Sequence, residues 1–88
     1  KARADKVAAA ITAPPGPMRV VTWNINSVRL RIDLLAQLAK GWSPDVICLQ
    51  ETKCPDELFP ADAVAKMGYP HQAILGMKGY HGVAILSR

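Results

Sequence analysis

Apolar and polar residues alternate between two periods along this chain. Arg19–Trp23 (Arg-Val-Val-Thr-Trp) is a β-branched and aromatic run that predicts a strand. Asn24-Ile25-Asn26-Ser27 breaks it, and Asn26 or Ser27 then serves as N-cap for a helix predicted to run to about Lys40. Within that helix Val28, Ile32, Leu35 and Ala39 recur at spacings of four, three and four, with Leu34, Leu38 and Trp42 widening the stripe. Gly41 fits the position just past the helix, and Pro44 prevents its continuation. Asp45–Gln50 is a continuous apolar run, the pattern of a strand buried on both faces. A loop over Cys54–Pro60, a short helix over Ala61–Met67 capped by Gly68, and a strand over Tyr69–Leu75 follow. Gly76–Gly82 reads as a hairpin loop leading into a last strand, Val83–Ser87.

Residues 1–17 stand apart from this pattern. They are Ala-rich and end in Pro14-Pro15-Gly16-Pro17, which suits neither helix nor central strand. The plain reading is a disordered or linker extension without chemistry; an Arg-rich transit peptide is the lesser alternative. Residues 18–88 form the domain proper. The 88-residue chain carries a net charge of +4, half of it in residues 1–17, so the domain lacks the dense basic stripe of a DNA-coating protein. A hydrophobic fraction of 50% with 20% charged residues excludes a disordered chain. No apolar run approaches the roughly 20 residues of a membrane span. Two cysteines form neither a disulfide framework nor a zinc quartet and point to a reducing compartment; Cys48 reads as core and Cys54 as a free loop thiol. The chain stops directly after its last apolar run, where a strand wants partners on both sides, so a piece of a larger protein is expected.

Strand, helix, strand over residues 19–50 implies a parallel pair with a right-handed crossover. The carboxyl ends of both strands then share one sheet edge, where open α/β sheets bind ligands. Asn24 and Glu51 sit at those ends. A Mg²⁺ ion takes oxygen ligands, often one or two protein carboxylates, and leaves positions for substrate phosphate; a Glu at a strand end suits that. On spacing alone the plainer alternatives are favoured: Glu51 ending a strand in solvent, paired with Lys53, and Asn24 as a turn residue. Arg29 and Arg31 fall in the first turn of the predicted helix, where cations oppose the helix dipole, which invites a phosphate partner or simply marks solvated surface. Lys78-Gly79-Tyr80-His81-Gly82 combines a cation, aromatic rings and flexible backbone. It suits contact with a nucleic acid, and equally a hairpin turn whose Tyr packs on a neighbour. His71, in a strand, reads as structural.

Three segments together carry a resemblance: Thr22-Trp23-Asn24-Ile25-Asn26-Ser27-Val28-Arg29, Pro44-Asp45-Val46-Ile47-Cys48-Leu49-Gln50-Glu51-Thr52-Lys53, and Gly79-Tyr80-His81-Gly82-Val83-Ala84-Ile85-Leu86-Ser87. In this order they resemble the exonuclease III family of apurinic/apyrimidinic endonucleases, the middle segment most specifically. The resemblance covers residues 18–88 and only the N-terminal part of that family's catalytic domain. It implies an α/β fold, the first portion of a four-layer, DNase I-like α/β sandwich with a mixed sheet. It further implies a DNA-repair nuclease that hydrolyses DNA phosphodiesters with Mg²⁺ (or Mn²⁺), as a 3′-to-5′ exonuclease and abasic-site endonuclease. By resemblance Glu51 is the metal-ligand Glu, and Asn24 the active-site Asn that helps hold metal and phosphate. Asn26 lies near the metal, and Lys53 orients the acidic cluster. Arg29, Gly79 and Tyr80 contact DNA. The family's later Tyr, Asp-x-Asn pair and closing Asp-His pair have no counterpart in these residues, so this stretch alone is expected to be inactive. The implied partner is double-stranded DNA, especially abasic sites and 3′ ends, with no membrane. The implied whole protein is a monomer in a bacterial-type cytoplasm, associated with the nucleoid. The alternatives are another phosphodiesterase or phosphatase of the endonuclease/exonuclease/phosphatase superfamily, and a non-catalytic truncated domain serving as an interaction module.

Overall fold

The structure is a computed structural model that describes residues 17–77 and 80–88. Of the predicted extension only Pro17 falls among them, and Lys78 and Gly79 of the predicted loop lie outside the described residues. The elements are β1 (Val20–Asn24), α1 (Ile32–Trp42), β2 (Val46–Gln50), a 3₁₀ turn (Asp56–Leu58), α2 (Ala61–Lys66), β3 (His71–Leu75) and β4 (Val83–Ser87). They form one four-stranded sheet of order β1-β2-β4-β3. β1 and β2 are parallel, joined through α1, whereas β2–β4 and β3–β4 are antiparallel. The sheet is therefore mixed and the class α/β, as expected.

One face of this sheet is the core. Ile47 and Leu49 of β2 and Ala84 and Leu86 of β4 pack with Leu35 and Ala39 of α1, Val64 of α2, and Ile25, Val28, Cys54, Phe59 and Tyr69 from the connections. Each fully buried aliphatic side chain of this kind contributes about 1.5–3 kcal/mol. Tyr69 is the largest buried side chain, and its hydroxyl donates to the Pro44 carbonyl at 2.5 Å, so its polar end is satisfied inside the core. Pro70 follows it and has no N–H for a ladder, which explains why β3 begins at His71 rather than at Tyr69. His71 itself is exposed rather than structural.

The other face is open. Val20, Leu75, Val83 and Ile85 point to it and are each about half exposed or more. β2 consequently alternates, with Ile47 and Leu49 buried and Val46, Cys48 and Gln50 half-buried, against the prediction of a strand covered on both faces. The two thiols exchange places for the same reason. Cys48 lies on the open face and is half-buried, while Cys54, read as a loop thiol, is buried in the core.

The first helix also starts later than its sequence suggests. Val28–Arg31 form a turn, and α1 begins at Ile32 with no side-chain cap at its N-terminus. The Ser27 hydroxyl accepts from the Leu30 N–H at 3.3 Å, capping that turn instead of a helix. The cause is a competing use of the backbone: the Ser27 N–H donates to the Glu51 carbonyl at 2.9 Å and the Val28 N–H to the Thr52 carbonyl at 3.0 Å. These bonds extend the pairing of β1 with β2 beyond the strands and hold residues 25–28 out of helical geometry. Arg29 and Arg31 thus precede the helix rather than occupy its first turn. At the far end Gly41 remains helical, and Ser43 takes the left-handed position with φ 51°. Leu34 and Trp42, assigned to the apolar stripe, are exposed; Trp42 is 63% accessible.

Candidate active site at the carboxyl ends of β1 and β2

The parallel register sets Asn24 opposite Gln50, so Glu51 is the first residue beyond the paired strands. Glu51 turns there with φ 54°, in the left-handed region that costs a non-glycine residue of order 1 kcal/mol or more. Its carboxylate accepts a hydrogen bond from the Asn24 side-chain amide. An amide that donates through its nitrogen presents its oxygen on the opposite side. The edge therefore offers a carboxylate, held in place by the amide, as a hard oxygen donor suited to a divalent cation or its hydration shell, with the amide oxygen turned away from it.

Three chain segments converge on this pair. The Asn24–Val28 segment is bonded to Gln50–Thr52 as described, starting with Ile25 N–H to Gln50 carbonyl at 3.0 Å. Thr52–Lys53 is bonded in turn to the β3–β4 loop: Thr52 N–H to Gly82 carbonyl at 3.1 Å and Lys53 N–H to His81 carbonyl at 2.8 Å. Positive φ angles at Asn26, Ser27, Glu51, Lys53 and His81 all fall in these segments. Left-handed non-glycine residues are costly and persist where surrounding bonds over-determine them, commonly at functional sites. Their concentration at one edge marks the site independently of side-chain chemistry, a signal that residue types alone do not carry.

Each predicted site residue has a definite place here. Arg29 is exposed, and its guanidinium donates to the Lys53 carbonyl at 3.3 Å. Lys53 is half-buried and enters the site through its backbone. Asn26 is exposed on the same edge with φ 50°. Tyr80 is exposed and meets the His81 ring edge-on at 4.9 Å. Asn24 and Glu51 are brought into contact. Gly79 lies outside the described residues. Thr52, Asp56 and Gly76 escaped the sequence reading. Thr52 is buried beside Gly82, and the Asp56 carboxylate accepts from the Gly76 N–H at 2.6 Å. The two loop-flanking glycines were the available signal, since each marks a close backbone approach.

Cys54 lies below this edge. Burial pushes its thiol above the ordinary range; the Arg29 guanidinium opposes that shift, and the Glu57 and Asp56 carboxylates add to it. It is a packed core thiol rather than a nucleophile. A cleft of about 520 Å³, lined by Met18, Arg19, Val21, Trp42 and Pro44, lies at the opposite end of β1. Its cation is already engaged: Arg19 donates from its guanidinium to the Trp42 carbonyl at 2.9 Å and from its backbone to the Asp45 carboxylate at 2.8 Å. The cleft thus lacks the amide-held carboxylate that Asn24 and Glu51 provide. Among the described residues no helix is long and apolar enough to cross a membrane.

Exodeoxyribonuclease III of Haemophilus influenzae is 41% identical to this chain over 71 residues, covering 81% of the chain and 26% of that protein. Among solved structures, the 3′ phosphatase NExo from Neisseria bound to product DNA hairpin superposes with a TM-score of 0.78 at 42% identity, covering 82% of this chain and 28% of that one. An AP endonuclease from Archaeoglobus fulgidus superposes with a TM-score of 0.77 at 38% identity, over 81% and 27%. The chain therefore spans about a quarter of the length of these relatives. Residues 21–88, from the second residue of β1 through the end of β4, match the model of the Endonuclease/Exonuclease/phosphatase family, and the chain belongs to that family.

Proposed function

We propose that the whole protein is a DNA-repair nuclease of the exonuclease III type. It hydrolyses DNA phosphodiesters on the 5′ side of abasic sites and degrades DNA from 3′ ends. The observation that carries this reading is the Asn24 amide bonded to the Glu51 carboxylate at the carboxyl edge of a parallel strand pair. The Glu51 carboxylate, held by the Asn24 amide, is a hard oxygen donor that fits Mg²⁺, or Mn²⁺, which keeps open positions for water and substrate phosphate. Such an ion, when bound, neutralises charge on the phosphoryl oxygens and activates water.

Glu51 would hold the cation, and Asn24 orients that carboxylate and would orient the scissile phosphate. Asn26 stands on the same edge, where it would lie near a bound cation, and Lys53 would orient the acidic cluster. Arg29 contacts the DNA backbone, with Gly79 and Tyr80 reaching the minor groove. Residues 18–88 are the N-terminal portion of the catalytic domain, and residues 1–17 an extension without a part in catalysis. The partner is double-stranded DNA, chiefly abasic sites and 3′ ends. The protein acts as a monomer in a bacterial-type cytoplasm, at the nucleoid. The test uses the full-length protein with an abasic duplex and Mg²⁺. Incision that chelation removes and Mg²⁺ restores is expected, and an inert full-length protein would overturn the reading.

The Neisseria relative, a 3′ phosphatase, favours one second reading: removal of phosphate from DNA 3′ ends. A duplex bearing a 3′-phosphate, compared with the abasic duplex under the same conditions, separates the two.

A further inference from the structure

The loop between β3 and β4 is fastened at both legs to the segment that follows Glu51. On the second leg the fastening is backbone to backbone, Thr52 N–H to Gly82 carbonyl and Lys53 N–H to His81 carbonyl. On the first leg a side chain makes it. Asp56 stands at the start of the 3₁₀ turn, yet its carboxylate reaches twenty residues along the chain to the Gly76 N–H, at 2.6 Å. Gly76 approaches so closely that a Cβ there would lie 2.0 Å from the Cys54 carbonyl oxygen and 2.9 Å from the Asp56 carboxylate. The legs also meet each other, since a Cβ on Gly82 would come within 3.5 Å of the Gly76 Cα. The loop is thus pinched at its base and clamped along residues 52–56. It carries Tyr80, which is exposed.

We propose that Asp56 is a positioning residue for DNA binding: by holding Gly76, the first leg of the β3–β4 connection, against the segment that follows Glu51, it helps set the place of Tyr80 before DNA arrives. This rests on the nuclease reading above. A contact residue placed in advance loses less conformational freedom on binding, so the clamp acts on affinity and leaves the chemical step alone. Electrostatics gives the opposite sign for a mere surface acid. Removing a negative charge beside a DNA-binding edge strengthens attraction to phosphate. Removing Asp56 is expected to weaken binding instead.

The test uses the full-length protein and steady-state incision of an abasic duplex with Mg²⁺. Asp56→Ala is expected to raise KM about three- to tenfold with kcat within about twofold. Asp56→Glu keeps the charge but displaces the carboxylate by a methylene, and is expected to behave like the alanine variant. Asp56→Asn keeps an acceptor oxygen in place and is expected to hold KM within about twofold. An unchanged or lowered KM in Asp56→Ala overturns the proposal, as does an Asp56→Asn variant as impaired as Asp56→Ala. If Asp56→Ala fails to melt cooperatively, the glutamate and asparagine variants decide by the same comparison. Hydrogen exchange of the Gly76 amide gives a readout without DNA. Exchange should quicken severalfold in Asp56→Glu relative to wild type, and an unchanged rate overturns the clamp. An inert wild type that still shows this exchange difference would refute the nuclease reading while leaving the clamp standing.

Discussion

The side-chain amide of Asn24, at the last position of β1, donates to the carboxylate of Glu51, one residue past β2. Twenty-seven residues separate the two in the chain, and the parallel register brings them together. The left-handed turn at Glu51 redirects the chain just where the ladder ends, and the Glu51 carbonyl is tied to the Ser27 N–H at the same point. Carboxylate direction is therefore set twice, by the backbone beneath it and by the amide beside it.

That division of labour predicts unequal costs. In the full-length protein Glu51→Ala removes the charge itself, and incision of an abasic duplex at saturating Mg²⁺ should fall by at least about 100-fold. Asn24→Ala leaves the carboxylate but frees its orientation; the loss should be about 10–100-fold and should appear partly as a higher Mg²⁺ requirement. A Mg²⁺ titration of incision for the two variants checks this order, and wild-type activity in Glu51→Ala would refute the assignment.

Gly82→Ala tests the frame rather than the chemistry. The position has φ 91°, which an L side chain adopts only under strain, and the added Cβ would come 2.3 Å from the buried Thr52 hydroxyl. The strain alone costs about 1–3 kcal/mol. Thermal unfolding of the full-length variant should show a midpoint lowered by several degrees. A midpoint within one degree of wild type would mean that the Thr52–Gly82 approach yields freely.

The strands and the parallel crossover were legible because each rests on local pattern. The β-branched run at residues 20–23, the apolar run at 46–49 and the break at Pro44 each decide their own neighbourhood. The start of α1 was not legible, because long-range bonds from Ser27 and Val28 to Glu51 and Thr52 override a locally acceptable cap. The same reason hid the exchange between Cys48 and Cys54. Alternation within β2 shows which residues share a face, and only the packing shows which face is covered. Asn24 and Glu51 could be placed at a common edge from topology alone, but the bond between them depends on a backbone angle at Glu51 that residue identity does not announce. Asp56 gave no signal of its own, since its partner is a backbone N–H twenty residues away, and only the glycine at that partner position marked a close approach.

Cys54 carries a pH prediction. Burial raises its thiol pKa in the folded state, with Arg29 opposing and Glu57 and Asp56 reinforcing. The folded protein thus holds the thiol proton more tightly than the unfolded chain does. The stabilisation is fully present below the unfolded thiol pKa of about 8.5 and is lost as pH rises through the higher folded value. Denaturant unfolding of the full-length protein at about pH 7.5 and 9.5 should show a steeper alkaline decline for wild type than for Cys54→Ala. Equal slopes would show that Cys54 titrates alike in both states. Native Cys54 should also react with a thiol reagent far more slowly than it does in denaturant.

The isolated 88-residue chain should associate in solution and should not cut DNA. Chemically, among the described residues no cluster of three or more His, Cys, Asp or Glu is placed to hold a metal ion. One carboxylate and one amide orient a phosphate but supply no base for the attacking water. Physically, one face of the sheet presents Val20, Leu75, Val83 and Ile85, with Cys48 between them, and nothing among the described residues covers it. A contiguous apolar patch of this kind, on the order of a few hundred Å², forfeits about 25 cal/mol for each Å² left in water and favours any arrangement that covers it. β1 and β3 are both sheet edges, which gives association a second route. Light scattering should show species larger than a monomer at micromolar concentration, and an abasic duplex with Mg²⁺ should remain intact. A monomer that melts cooperatively would refute the packing argument, and metal-dependent incision abolished by Glu51→Ala would refute the chemical one.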